Sequence, residues 1–527
     1  MHARRLAVLA VGALCGLALL PPAAASAAFA PLGGFGSYGS GAGQFTGTGG
    51  LAIAASGSIY QAGYGDNRIA VYSPQGGFLF AFGDEVAPSG ADVCDTASGC
   101  QEGNESGNAG GLDQPEAVAL DAAGNVFVAD YGNNRVSVFS AAGEFLFAFG
   151  KDVNESDGSD VCDAASGCDP GAESSLAGGF DNPSGVAVAG GAVFVADSGN
   201  ARISVFSLAG GFLYAFGKEV KPGGGDVCTE ISGCQSGEAG EAAGELDSPA
   251  DVASVPGGLL AIAENRNRRV AVFTEGGSFV RGLGAGVNVS NGSGVCTTAS
   301  GCREGPPGAG AGTLGSPVHL TFDRAGGVYV GDTELERVSQ FDLGTGFVRA
   351  FGAGVVDGAA AFQVCTAICA AGLPLTIAGA TPNPYGLAVA GDGTVLVAEE
   401  GEAEKGSFAR IERFGDLPAP PLPDPPAAPS NKFRFGKLKL NEKAGTATLT
   451  ITVPGAGSAV LKGNGIKKVK RTAKKAGKLK LPVKLKGKAK EKLLEQGRSA
   501  VSAKVTFTPK GGKALTKQKR MTLKKRL

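Results

Sequence analysis

Six segments of one pattern recur along this chain at intervals of 67, 67, 67, 68 and 67 residues, and that period constrains the fold more than any other feature. The segments are IYQAGYGDNRIAVYS from Ile59, VFVADYGNNRVSVFS from Val126, VFVADSGNARISVFS from Val193, LAIAENRNRRVAVFT from Leu260, VYVGDTELERVSQFD from Val328, and VLVAEEG from Val395, continued after a longer loop by FARIERFG. Each is two alternating apolar runs around a polar turn, the pattern of a β-hairpin. A third run such as EFLFAFG from Glu144 follows most of them, and a fourth, such as PEAVALD from Pro115 or PSGVAVA from Pro183, stands ahead of each. Four short antiparallel strands, repeated six times, predict an all-β fold, a six-bladed β-propeller with four-stranded blades. With 88 Gly, 27 Pro, 2 Met and no Trp, the composition favours turns and short extended elements over long helices.

The ends of the array predict how the ring closes. The last repeat stops at Phe414-Gly415 after three strands, whereas FAPLGGFG from Phe29 is an outer-strand phrase with no blade before it. The N-terminal phrase is therefore expected to supply the fourth strand of blade six, which removes an open edge. The phrases P-x-G-V-A-V, V-F-V-A-D-x-x-N-N-R-V-x-V-F and F-x-x-x-F-G resemble the NHL repeat family, from about Phe29 to Gly415. The resemblance implies a six-bladed propeller. Many members of the family bind protein or RNA, and a few relatives of that architecture are lyases or lactonases. Two departures stand out: Gly63 occupies the position held elsewhere by Asp or Glu, and the blade-to-blade connections are longer than the family norm.

The formal net charge of −1 conceals a segregated chain. Residues 431–527 hold 29 Lys and Arg against 3 acids, a surplus of 26, while the residues before them hold 19 against 46, a deficit of 27. Four segments are expected: a signal peptide over 1–27, the propeller over 28–416, a Pro-rich linker over 417–430 and a basic β-sandwich over 431–527. The signal is read from Arg4 and Arg5, the apolar run Leu6–Leu20 and the small-residue site Ala25-Ser26-Ala27. No other stretch has the roughly 18 apolar residues of a membrane span. The protein is thus expected to be secreted and monomeric, with possible association to the cell wall. Seven alternating segments in the basic region, with one helix near KAKEKLLEQG, suggest a small immunoglobulin-like sandwich. This Lys-rich unit is similar to modules that follow NHL propellers in exported bacterial proteins. Lys far outnumbers Arg in it, giving diffuse positive potential suited to an anionic cell-wall polymer or lipid surface. Export and the lack of interleaved aromatics disfavour nucleic acid.

Beyond Cys15 in the signal, ten cysteines fall in pairs between blades: Cys94 and Cys100, Cys162 and Cys168, Cys228 and Cys234, Cys296 and Cys302, Cys365 and Cys369. An even count in an exported chain favours local disulfides, with zinc and pairing between neighbouring blades as the competing readings. Strand alternation puts these loops on the same face as the D-x-x-N-N-R turns, so that face is the expected site for a protein or glycan ligand. Acidic stretches there, such as DVNESDGSDVCD from Asp152, leave Ca2+ as a weak alternative to a solvated rim, and no cofactor is expected. The recurring acids (Asp130, Asp197, Glu264, Asp332, Glu399) and arginines (Arg68, Arg135, Arg202, Arg269, Arg337, Arg410) recur too regularly for a site. They are expected to cap turn amides and bind carbonyls.

Sites break symmetry, and the tunnel-facing position of the inner strands does so twice. It is Gly50, Ala117, Gly185, Asp251, His319 and Gly386 in turn. Asp251 and His319 are the weak catalytic candidates: a base or metal ligands on one reading, a hydrogen-bonded pair that plugs the tunnel on the favoured one. The expected function is non-catalytic extracellular binding or scaffolding, with a propeller-type lyase or lactonase as the alternative.

Overall fold

The computed structural model describes residues 29–403, 406–417, 430–510 and 512–527. The signal segment and nearly all of the Pro-rich linker lie outside the described residues. These form two compact units, one ending at residue 417 and the other beginning at residue 430.

The first unit is a ring of six antiparallel sheets. Blade two is representative, with strands Pro115–Leu120, Val126–Asp130, Arg135–Phe139 and Phe145–Phe149 running from the axis outward. The inner strand of blade one, Leu51–Ile53, packs against those of blade two and of blade six, Pro384–Val389, so the ring is closed. Blade six completes itself as the sequence predicts: Phe29–Phe35 pairs antiparallel with Gly406–Asp416, placing Phe29 opposite Asp416. Its second hairpin is extended, Val395–Ala403 pairing with Gly406–Asp416 along its whole length, where the sequence suggested a loop. Blades one to five each gain a short fifth strand beyond the four expected, such as Val161–Cys162 on the edge of blade two.

The core lies between blades. Tyr60, Val71 and Phe82 of blade one pack with Val118, Val128 and Phe139 of blade two. A phenylalanine pair marks most joints, as in Phe82–Phe139 at 4.9 Å and Phe149–Phe206 at 4.8 Å between centroids, while Leu283 packs with Phe341 between blades four and five. At the closure Phe35 takes this role against Tyr72 of blade one, at 5.1 Å, and Phe29 packs on Phe351 of blade five, at 4.9 Å. Such contacts contribute about 0.5–1.5 kcal/mol each beyond the area they bury. Gly143 shows how tightly the blades meet. Its φ is 84°, and a Cβ there would stand 2.7 Å from Phe82.

The second unit is a two-layer sandwich with the seven strands and one helix expected. One sheet has the order Arg434–Asn441, Thr446–Val453, Gly477–Val483. The other has Ile466–Ala473, Gly457–Gly463, Arg498–Pro509, Leu515–Lys524. The fourth strand in sequence therefore joins the four-stranded sheet, which departs from the constant-type immunoglobulin order. The helix Gly487–Gln496 ends at Gly497 in a left-handed cap and buries Leu493. No helix among the described residues is long and apolar enough to cross a membrane.

Candidate functional site

Each blade carries one buried charge unit. In blade two, Asp130 accepts hydrogen bonds from the Asp113 amide at 2.8 Å, Asn133 Nδ2 at 3.0 Å, Arg135 Nε at 3.0 Å and Ser137 Oγ at 2.9 Å. The remaining guanidinium hydrogens of Arg135 go to carbonyls: Gly107, Asn108 and Gly111 in the loop before the blade, and Asp169 in the loop after it. Arg202 repeats this around Asp197, with Ser175, Leu176, Gly179 and Gln235 as carbonyl partners. An arginine is needed because only a guanidinium has five donors in a fixed fork. These rings therefore tie neighbouring loops to the blades.

Blade one solves the absence of an acid at Gly63 by moving it three residues on. Asp66, where blade two has Asn133, accepts from the Thr46 amide at 2.6 Å and Thr46 Oγ1 at 2.7 Å, and lies 3.8 Å from Arg68. Burial pushes its carboxyl up to about 6, against the pull of Arg68 and the Thr46 hydrogen bonds.

The loops so anchored are the cysteine connections. The structure closes all five pairs locally, Cys94–Cys100, Cys162–Cys168, Cys228–Cys234, Cys296–Cys302 and Cys365–Cys369, with Cα–Cα distances of 5.3–5.4 Å. Neither zinc nor pairing between blades is how they are used. Disulfides of this kind suit an oxidising, extracellular setting. Inside the first hairpin Ser98 Oγ accepts the Asp95 amide at 2.8 Å and Asp95 Oδ1 accepts the Ser98 amide at 2.7 Å, an arrangement repeated by Asp163 and Ser166. Disulfide and reciprocal capping together fix these tips. Ile231, between Cys228 and Cys234, is 101% exposed, and Ile368, between Cys365 and Cys369, is 80% exposed.

At the axis the inner strands bring Asp251 and His319 together, as their register predicts. His319 Nδ1 lies 3.0 Å from Asp251 Oδ2, which also accepts the Leu320 amide at 3.0 Å, and both side chains are buried. The glycines of the ring make room for them. A Cβ on Gly50 would stand 2.9 Å from His319 Cε1, and one on Gly185 would stand 2.6 Å from Asp251 Oδ1. Burial alone would lower the pKa of His319, but the Asp251 carboxylate and Glu116 outweigh it, and the net shift is upward. The pair ends a cavity of about 360 Å³ lined by inner-strand residues such as Leu51, Val118, Val186, Val252 and Leu320.

Two further tunnel residues escape the sequence reading. Tyr385 donates its hydroxyl hydrogen to Glu116 Oε1 at 2.5 Å, and its ring lies 5.3 Å from that of His319. Glu116 Oε2 is buried with no partner, and burial pushes this carboxyl up to about 7. Both residues directly follow the inner-strand proline, one position before the ring position that singled out Asp251 and His319. The same register, examined one residue earlier, would have shown them. Among the described residues no group of three or more His, Cys, Asp or Glu is arranged to hold a metal ion.

These features define a β-propeller, and the NHL repeat model matches residues 112–139 and 180–206, in blades two and three. No curated protein matches the chain. Among solved structures, the chain is similar to a streptogramin B lyase, with 12% identity over 72% of this chain and 98% of that one, at a TM-score of 0.38. It is also similar to a gluconolactonase of Xanthomonas campestris, with 14% identity over 71% and 87%, at 0.35. A chain of a nidogen–laminin complex is similar too, with 14% identity over 56% and 76%, at 0.32.

Proposed function

We propose that this is an exported, non-catalytic binding protein. The stapled loop face of its propeller recognises a protein or glycan, and its Lys-rich sandwich, an immunoglobulin-like module in a broad sense, holds it to an anionic wall polymer or lipid surface. The observation that carries the reading is Ile231, a large apolar side chain held fully in water at the tip of a disulfide hairpin. It contributes nothing to the fold, and an exposed apolar anchor on a rigid support is what an interface uses. The axis gives less support to catalysis. His319 is buried against Asp251, where its imidazole serves as a plug, and it is the only histidine among the described residues.

The test compares the wild-type chain with an Ile231→Ser/Ile368→Ser variant on a glycan array and on an array of extracellular proteins. Retention of a discrete ligand by the wild type, lost in the variant at an unchanged thermal midpoint, supports the proposal. Equal retention by both overturns the assignment to the loop face.

A further inference from the structure

Five stapled connections serve six blades, so one sector of the loop face is built differently. The connection from blade six to blade one runs over residues 36–50 and has no cysteine hairpin, whereas blades one and two are joined by residues 83–114. Arg68, Arg135, Arg202 and Arg337 each bind a carbonyl of the following loop, at Gln101, Asp169, Gln235 and Ala370. Neither Arg269 nor Arg410 has such a partner among the described residues, and Arg410 stands apart by its side chain being 20% exposed.

In this sector lies a cavity of about 520 Å³, walled by Tyr38, Glu336, Pro374, Pro382, Glu400 and Phe408. Glu336 Oε2 accepts the Asn383 amide at 2.5 Å, and Glu400 Oε2 accepts the Thr48 amide at 3.0 Å. Thr48 is itself buried, with its hydroxyl unpartnered. Burial pushes both carboxyls up, and the ion pairs of the described residues include neither.

The two charges have no counterpart elsewhere in the ring. At the position of Glu336 none of blades one to four has an acid: blades one and two have Asn67 and Asn134, whose neutral side chains accept the equivalent amides of Gln114 and Asn182 at 3.0 and 2.9 Å, and blades three and four have Ala201 and Arg268. At the position of Glu400 the other blades have Tyr64, Tyr131, Ser198, Asn265 and Thr333, all uncharged. The blade fold therefore needs a carboxylate at neither place.

We infer that this cavity takes a single cationic side chain, the ammonium or guanidinium of a lysine or arginine in a basic peptide. Two part-buried carboxylates with no counter-ion among the described residues gain most from a cation delivered between them. Tyr38 and Phe408 line the same cavity, and the Phe408 ring already has the Arg410 guanidinium 5.7 Å from its centroid, so an aromatic ring here does take a cation. The volume suits a side chain better than a bare ion. This inference rests on the reading of the loop face as a binding surface and supplies that face with a chemistry.

The chain has no Trp, so the fluorescence of a peptide carrying one reports the peptide alone. Ac-Trp-Gly-Lys-Gly-NH2 and its Nε-acetyl-lysine counterpart are titrated with the full chain and followed by anisotropy. The lysine peptide is expected to saturate one site and the acetylated peptide to bind about tenfold more weakly or worse. Glu336→Gln/Glu400→Gln, which keeps an acceptor oxygen for each amide, is expected to lose a similar factor, with Glu400→Gln alone and Tyr38→Ala losing less. Equal affinity for the acetylated peptide overturns the inference, as does full affinity in the double variant. Displacement of the peptide by millimolar CaCl2 also overturns it, by assigning the carboxylates to a metal ion. If the lysine peptide fails to bind while the Ile231→Ser/Ile368→Ser variant still loses its array ligand, the cavity inference falls and the loop-face reading stands.

Discussion

In blade three the guanidinium of Arg202 is wholly out of water, bonded to Asp197 and to carbonyls of two loops. In the C-terminal unit, Lys467, Lys468, Lys470 and Arg471 on one strand all face solvent. The contrast holds throughout. The propeller buries five of its six recurring arginines, and among the described residues of the sandwich no charged side chain is buried; its core, from Phe433 to Leu523, is apolar. Charge in the first unit is a structural material, placed where loops must be tied to sheets. Charge in the second is surface, available to whatever comes near.

The comparison is most exposed to a substitution at the buried pair. Arg202→Met leaves the Asp197 charge uncompensated and takes a donor from four carbonyls, of which Leu176 O keeps the Gly179 amide, and is expected to cost about 3–5 kcal/mol in denaturant unfolding, against about 0.5 kcal/mol or less for Lys468→Met. Equal costs would erase the distinction between the two kinds of charge. Next in size is the salt response of the lysines. Retention of the full chain on dextran sulfate is expected to weaken by about tenfold or more as NaCl rises from about 0.05 to about 0.5 M, because exposed charges are screened. Retention indifferent to salt would mean that the sandwich does not act through its charge. The smallest effect concerns Glu116. Its folded pKa, about 7, lies above the ordinary value of 4.5, so its favourable contribution is complete below about pH 4.5 and is lost as pH rises through 7. Glu116→Gln should remove that loss. The variant's thermal midpoint should gain on the wild type between pH 5 and 8, and a constant difference over that range would show that Glu116 is not held in its protonated form by the tunnel.

Much of this molecule is written in its repeat. The blade count and the closing role of Phe29–Phe35 follow from period and alternation, since each repeat states the same instruction again; alternation alone gives the strands of the sandwich, and the repeated cysteines favour local pairs without fixing them. What stayed hidden depends on single positions. The two-residue strands such as Val227–Cys228 are too short to alternate and sit within polar loops. Glu116 and Tyr385 look like surface residues at the start of a strand, and only the convergence of six strands on an axis brings them into contact with each other and with His319. Asp66 reads as one more polar turn residue until its bonds to Thr46 show that it replaces the acid missing at Gly63. The fourth strand of the sandwich could join either sheet, because its alternation is the same in both.

Pairing Phe29–Phe35 with Gly406–Asp416 has a consequence for the order of events in the life of the chain. The first stretch of the propeller to be synthesised needs the last as its neighbour, so the ring cannot be finished while any blade is still missing. A polypeptide crossing a membrane as a thread would arrive with its opening strand still unpaired and complete the circle only on the far side. Any truncation before residue 406 would leave that strand without a place to go.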